Sequence, residues 1–181
     1  ASYRRQRQMC IRDRSTILLG GNMRFLLLFF TFYIFSDVSD YIEKTKSKYD
    51  QLALDLWNYA EMGYLETRSS KAMKDILIDE GFSIKDGVAG IPTAFIAEYN
   101  NGGPIIGVLA EFDALPGLSQ STNPYRDSLG GDAGHACGHN LFGAASVHAA
   151  VAIKEYLKET NQKGTIRLYG TPAEEGGSGK V

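Results

Sequence analysis

His135, His139 and His148 are the only histidines in this 181-residue sequence, and they fall within fourteen residues of chain. Cys137 sits among them, in the order His135-Ala136-Cys137-Gly138-His139. A thiolate and imidazoles are donors that a borderline-soft divalent metal prefers. A separation of two lets Cys137 and His139 point the same way from an extended turn, and Gly138 permits the unusual backbone this requires. The plainer reading of the same residues is a buried cysteine beside helix-capping histidines.

A second cluster points toward the same chemistry. Glu174-Glu175 is set between Pro172 and a run of glycines. Adjacent carboxylates repel each other; a metal ion relieves the repulsion for one and leaves the other to act as a base toward water. A solvated acidic turn would have the same composition. A third feature is Glu111-Phe112-Asp113-Ala114-Leu115-Pro116, which places acids just past an apolar strand, where ligands collect in α/β sheets.

The elements around these residues must position them. Residues 40–61 have the period of an amphipathic helix, with Ile42, Tyr49, Leu52, Ala53, Leu56 and Ala60 on one stripe and Gly63 as the stop. A second helix is expected over 69–80, with Met73, Ile76 and Leu77 on one face and Gly81 ending it. Strands are expected at 93–99 and 104–111, joined as a hairpin by Asn100-Asn101-Gly102-Gly103. The second is apolar on both faces, which predicts a central strand covered on both sides. A long loop comes next over 112–136, of the length that usually carries function. A helix over 139–159 and a strand over 165–170 complete a strand–helix–strand unit, and residues 171–181 read as a loop. The class is α/β, a mixed β-sheet flanked by helices.

Composition is that of a globular protein, 44% hydrophobic and 22% charged, with a formal charge of −2. The charge is uneven. Residues 1–22 hold five arginines against one aspartate, which leaves 14 basic and 20 acidic residues for the rest. An acidic body offers no electrostatic footprint for nucleic acid. The basic segment 1–22 is unlike the rest of the chain; Gln8-Met9-Cys10-Ile11-Arg12-Asp13-Arg14 resembles translated sequencing adaptor, the alternative being a genuine basic leader. From Met23 and Arg24 the chain enters the apolar run Phe25 to Phe35, which is too short for a membrane span and suits a signal peptide over 23–36. A buried strand or helix is the alternative. The signal reading predicts a secreted or periplasmic protein with no stable membrane span, a cytoplasmic one otherwise. It also leaves Cys137 as the single cysteine after Cys10, with no internal disulfide.

Five segments taken in order carry a family resemblance. They are Trp57-x-x-x-Glu61-x-Gly63-x-x-Glu66, then Gly87-Val-Ala-Gly-Ile-Pro-Thr93, Ala110-Glu-Phe-Asp-Ala-Leu-Pro116, His135-Ala-Cys-Gly-His-Asn140 and Pro172-Ala-Glu-Glu-Gly-Gly177. Over about residues 40–181, within an expected catalytic-domain segment 37–181, the chain resembles metallopeptidase family twenty, the aminoacylase and carboxypeptidase-type amidohydrolases, and within it the hippurate, auxin-conjugate and aminobenzoyl-glutamate hydrolase branch. The resemblance implies a zinc-exopeptidase-like catalytic domain. It implies two divalent metal ions (zinc, manganese or cobalt), with Cys137, His139 and Glu175 as metal ligands, Glu174 as general base and Asp113 as a supporting acid. His135 would orient the loop or touch substrate, and His148 would be a packed or capping residue.

The reaction implied is hydrolysis of an amide bond in an N-acyl or aroyl amino acid or a dipeptide-like conjugate. Family members add a further histidine ligand after the glutamate pair, another near the C-terminus, and a lid domain used for dimerisation. No histidine follows His148. The chain is therefore expected to be the N-terminal part of a catalytic domain, inactive alone and with an exposed sheet edge, from a protein that is a homodimer when whole. Two rival readings remain: a non-catalytic binding module with a structural zinc held by His135, Cys137 and His139, and a cysteine hydrolase using Cys137.

Overall fold

The computed structural model describes residues 21–181, with the expected leader 1–22 lying almost wholly outside the described residues. Among the described residues, Asp37–Val181 form the compact unit that holds the core and the candidate site. Among the described residues no helix is long and apolar enough to cross a membrane.

Helix α1 runs over Gly21–Tyr59. Tyr49, Leu52, Ala53 and Leu56 are buried as the spacing predicts, whereas Ile42 is exposed. The helix ends before Gly63: Ala60 turns left-handed at φ 42°, and its N–H still donates to Leu56 O at 3.0 Å. Helix α2 covers Thr67–Asp79 and buries Met73 and Leu77. Gly81 ends it as expected, with φ +84° and the Phe82 N–H closing back on Leu77 O at 2.9 Å. The α2 start is held by Glu61, whose Oε2 accepts from the Ser69 N–H and hydroxyl, each at 2.8 Å.

The sheet has the order β1-β2-β6-β3, built from Ser83–Asp86 (β1), Phe95–Asn100 (β2), Ile105–Ala110 (β3) and Thr165–Gly170 (β6). The hairpin expected between β2 and β3 does not form. β6 lies between them, antiparallel to β2 and parallel to β3, so that Thr165 is in register with both Asn100 and Ile105. The Asn100–Gly103 segment does reverse the chain, but it straddles the entry of β6: Asn101 N–H donates to Gly164 O at 3.2 Å, and Thr165 N–H donates to Pro104 O at 2.9 Å. Turn chemistry is a local signal; pairing is decided by β6, whose Ile166 and Leu168 are fully buried.

Among the described residues β3 stands at the end of the sheet, not at its centre as its composition predicts. One face turns to the core through Val108 and Ala110, while Ile105 is 57%, Ile106 50% and Leu109 48% exposed. The covered face aligns Phe95, Ala97 and Tyr99 of β2 with Gly170, Leu168 and Ile166 of β6. Helix α3, His139–Glu159, returns the chain from β3 to β6 and packs on both strands. This makes the parallel pair a strand–helix–strand crossover, the mixed α/β architecture the sequence predicts. The long loop before α3 carries a two-stranded patch, Leu115–Pro116 (β4) with Ala133–Gly134 (β5).

Candidate metal centre

Parallel pairing of β3 and β6 brings their C-terminal ends side by side, with the N-terminus of α3 above them. Glu111 and Asp113 follow β3 directly, His139 is the first residue of α3, and Glu174 and Glu175 open the short helical turn Glu174–Gly177 (α4) after β6. Gly138 precedes α3 at φ 92°, a left-handed conformation, which is the excursion expected of it. Residues more than sixty positions apart therefore meet at the switch of chain direction, where open α/β sheets hold ligands.

His139 is the hub. Its ring is 5% exposed, with Nδ1 2.9 Å from Asp113 Oδ1 and Nε2 3.1 Å from Glu111 Oε2. Glu174 Oε2 and Glu175 Oε1 each lie 3.9 Å from the ring nitrogens. The second oxygen of Asp113 accepts the Glu175 N–H at 2.9 Å. Two groups of donors result, Cys137–His139–Glu175 and Glu111–His139–Glu174, in each of which the ligand atoms lie within 4.8 Å of one another. All five of the expected site residues, Glu174, Asp113, Cys137, His139 and Glu175, are thus brought together.

The charge balance is what a cation would correct. Four carboxylates converge on one imidazole, and Glu175 Oε1 is buried with no hydrogen-bond partner. The Cys137 thiol is pushed up from its ordinary value, first by its contact with the Glu175 carboxylate, then by burial and by the charges of Glu175, Glu174 and Glu111. The Lys180 ammonium reaches into the cluster, 2.7 Å from Glu111 Oε1 and 3.0 Å from Glu174 Oε1, a positive charge standing where the carboxylates attract one. Sulfur, nitrogen and carboxylate oxygen donors with one carboxylate oxygen unpartnered fit a borderline-soft divalent ion.

Two members of this cluster were not assigned a role from the sequence. Glu111 shows there only as an acid past a strand; its contact with His139 depends on how β3 lies beside β6. Lys180 carries no sequence signal beyond its position in a glycine-rich loop. His135 serves the loop rather than the cluster: its buried ring bonds Leu56 O through Nε2 at 3.0 Å, and burial depresses its pKa. His148 is packed, stacked on Tyr49 at 3.8 Å and 10° and bonded to Thr45 through Nε2 at 2.9 Å. Neither joins a donor group among the described residues, so four closed ligands for a structural zinc are not assembled. A groove of about 460 Å³ lined by Trp57, Tyr59, Leu65, Gln120 and Leu129 contains none of the cluster residues.

The chain is similar to several known hydrolases. The chain is 41% identical over 150 residues to a subunit of the p-aminobenzoyl-glutamate hydrolase of Escherichia coli (strain K12), covering 82% of this chain and 31% of that protein. It is 33% identical over 123 residues to N-acetylcysteine deacetylase of Bacillus subtilis (strain 168), covering 67% of this chain and 31% of that protein. The fold matches the crystal structure of the Bacillus subtilis YXEP protein, described as a dinuclear metal binding peptidase from the M20 family, with a TM-score of 0.60 and 28% identity over 72% of this chain and 36% of that one. The chain spans about a third of the length of the relatives it matches. Residues 107–181, which hold every residue of the cluster, match peptidase family M20/M25/M40, and the chain belongs to that family.

Proposed function

We propose that this chain supplies one side of the catalytic centre of a metal-dependent amidohydrolase acting on an N-acyl or aroyl amino acid or a dipeptide-like conjugate. The observation that carries the reading is the convergence of Cys137, His139 and Glu175 with Glu174 beside them at the ends of β3 and β6. Cys137, His139 and Glu175 would hold the metal, with Glu111 within reach of the same imidazole. Two divalent ions, zinc, manganese or cobalt, would polarise the amide carbonyl and acidify the attacking water.

Amide hydrolysis also needs a base for that water and an acid for the departing amine. Glu174, partly exposed beside the His139 ring, would serve both, taking the proton and then passing it to the leaving nitrogen. Lys180 holds the Glu174 carboxylate toward Glu111, and a cation entering the cluster would release it. Asp113 orients the His139 ring through Nδ1, with Glu175 on the same side and Glu111 and Glu174 facing Nε2. The substrate class follows the relatives' names, which share an acylated amino acid or a conjugate of one. The resemblance further supports a homodimer for the whole protein, and the apolar segment behind Arg24 supports export to the periplasm or beyond.

The test is a panel of p-aminobenzoyl-glutamate, N-acetylcysteine and simple dipeptides, assayed with the protein loaded with each of the three metals. Turnover that a chelator stops and added metal restores supports the proposal. Turnover that survives the chelator and is stopped by an alkylating reagent would instead assign the chemistry to Cys137 alone.

A further inference from the structure

Ala173, the residue immediately before the glutamate pair, has φ 55° and ψ 40°, a left-handed conformation that L residues adopt only at a cost. Something must hold it there, because this turn sets where Glu174 and Glu175 point. The holding contacts come from a distant segment, Glu61 to Glu66, between α1 and α2. Glu66 is fully buried, and its Oε1 accepts the Ala173 N–H at 2.8 Å. Its other oxygen accepts from the Thr93 hydroxyl at 3.0 Å, and the Thr93 carbonyl in turn accepts from the Ser70 hydroxyl at 2.9 Å.

Two further contacts come from the same segment. A Cβ added at Gly63 would stand 2.9 Å from the Ala173 Cβ, so only glycine allows this close approach. Tyr64, itself at φ 66°, donates its hydroxyl to Gly177 O at 2.8 Å at the far end of the turn. Glu61 anchors the segment at its start, through α2 and through its carbonyl, which accepts the Ala114 N–H at 2.8 Å next to Asp113. Glu66 has no cationic partner among the described residues, and a buried carboxyl so placed is an expensive way to hold a loop unless the loop's placement matters.

We infer that Glu66, with Gly63 and Tyr64, forms a cradle whose function is to set the direction of Glu174 and Glu175, making Glu66 a positioning residue for the metal centre. The inference rests on the hydrolase reading of that centre for its purpose, though not for its geometry. Glu66 touches no donor group itself; it acts through the Ala173 amide. The glutamine side chain keeps an oxygen for that amide, and the Thr93 hydroxyl can turn to accept from the new NH₂. Alanine leaves the Ala173 N–H buried and unpaired.

The experiment uses the full chain and two readouts. Hydrogen–deuterium exchange is followed over residues 171–178 in the absence of metal, and Co²⁺ is titrated in and read through the Cys137 thiolate-to-cobalt absorption. Glu66→Ala is expected to speed exchange in that segment and weaken Co²⁺ binding about 10–100-fold, the usual cost of losing a group that orients a ligand. Glu66→Gln is expected to restore both. Wild-type exchange and Co²⁺ affinity in Glu66→Ala would overturn the inference, as would a glutamine variant no better than alanine. If Glu66→Ala does not fold, Tyr64→Phe decides: faster exchange at Gly177 supports the cradle, and unchanged exchange overturns it. A wild-type chain that takes up no Co²⁺ counts against the metal centre, while the exchange readout still decides the cradle.

Discussion

Asp113 Oδ1 lies 2.9 Å from Nδ1 of His139, a contact that fixes the direction of the buried ring while Nε2 faces Glu111 at 3.1 Å. The other Asp113 oxygen binds the Glu175 N–H, so one side chain orients a donor from α3 and a donor from the turn after β6. Asp113→Ala should weaken metal binding about 10–100-fold, since both donors lose their support. Asp113→Asn retains one acceptor oxygen and should lose less. Isothermal titration with Zn²⁺ separates the two, and equal affinity in Asp113→Ala and wild type would refute the assignment.

Glu174→Gln tests the base directly. The amide keeps the shape and the Lys180 contact but cannot take a proton. In the active protein kcat should fall by about 10²–10⁴-fold, the range for loss of a general base, with metal content unchanged. Metal analysis beside steady-state kinetics reads both quantities. Retained turnover would remove Glu174 from the mechanism.

His148 gives the fold a pH dependence with a definite sign. Burial depresses its pKa below the ordinary histidine value, with only the more distant charge of Asp50 acting the other way. The folded state therefore disfavours the imidazolium relative to the unfolded chain. The stability it contributes is fully present above the unfolded-state pKa, near 6.5, and is lost as pH falls through the lower folded-state value. His148→Phe keeps a ring against Tyr49 and removes the titration. Urea unfolding at neutral and mildly acidic pH should show a smaller acid loss in the variant, and an unchanged slope would show that His148 is not its source.

The outer face of β3 should govern association between molecules. Leu109 and Ile105 lie half-exposed on an edge strand, where unpaired backbone groups and apolar side chains together favour edge-to-edge contact. Leu109→Lys is expected to lower light scattering of the concentrated chain and to change thermal stability by less than about 0.5 kcal/mol, as for a surface position. Undiminished association would place the sticky surface elsewhere.

Some of this structure was legible in the sequence because the signals are local. Helix α3 and strand β6 occur where periodicity places them, and Gly81 stops α2 as a left-handed glycine should. Strand β1, Ser83–Asp86, was not foreseen because its residues are mostly polar and exposed, so no alternation marks it. Gly63 reads as a helix stop, whereas the helix turns off earlier at Ala60 and the glycine is needed for space against Ala173. In the candidate metal centre, Cys137 and His139 announce themselves by donor type, and the Glu174-Glu175 pair by its repulsion, with Glu175 singled out as a ligand by the resemblance alone. Glu111 and Lys180 do not, since an acid and a lysine are ordinary surface residues until the parallel pairing of β3 and β6 brings them to one imidazole.

That pairing also constrains the route by which the sheet is assembled. β2 and β3 follow each other closely in the chain, yet in the finished sheet they stand two strand spacings apart, roughly 10 Å. The strand that fills the gap is made roughly 55 residues later, after the whole of α3. During synthesis the turn at Asn100–Gly103 can zip its two flanking strands into a local hairpin that the native register forbids. Any such hairpin would have to open before β6 could pair with both strands, and non-local pairing of this kind is intrinsically slow.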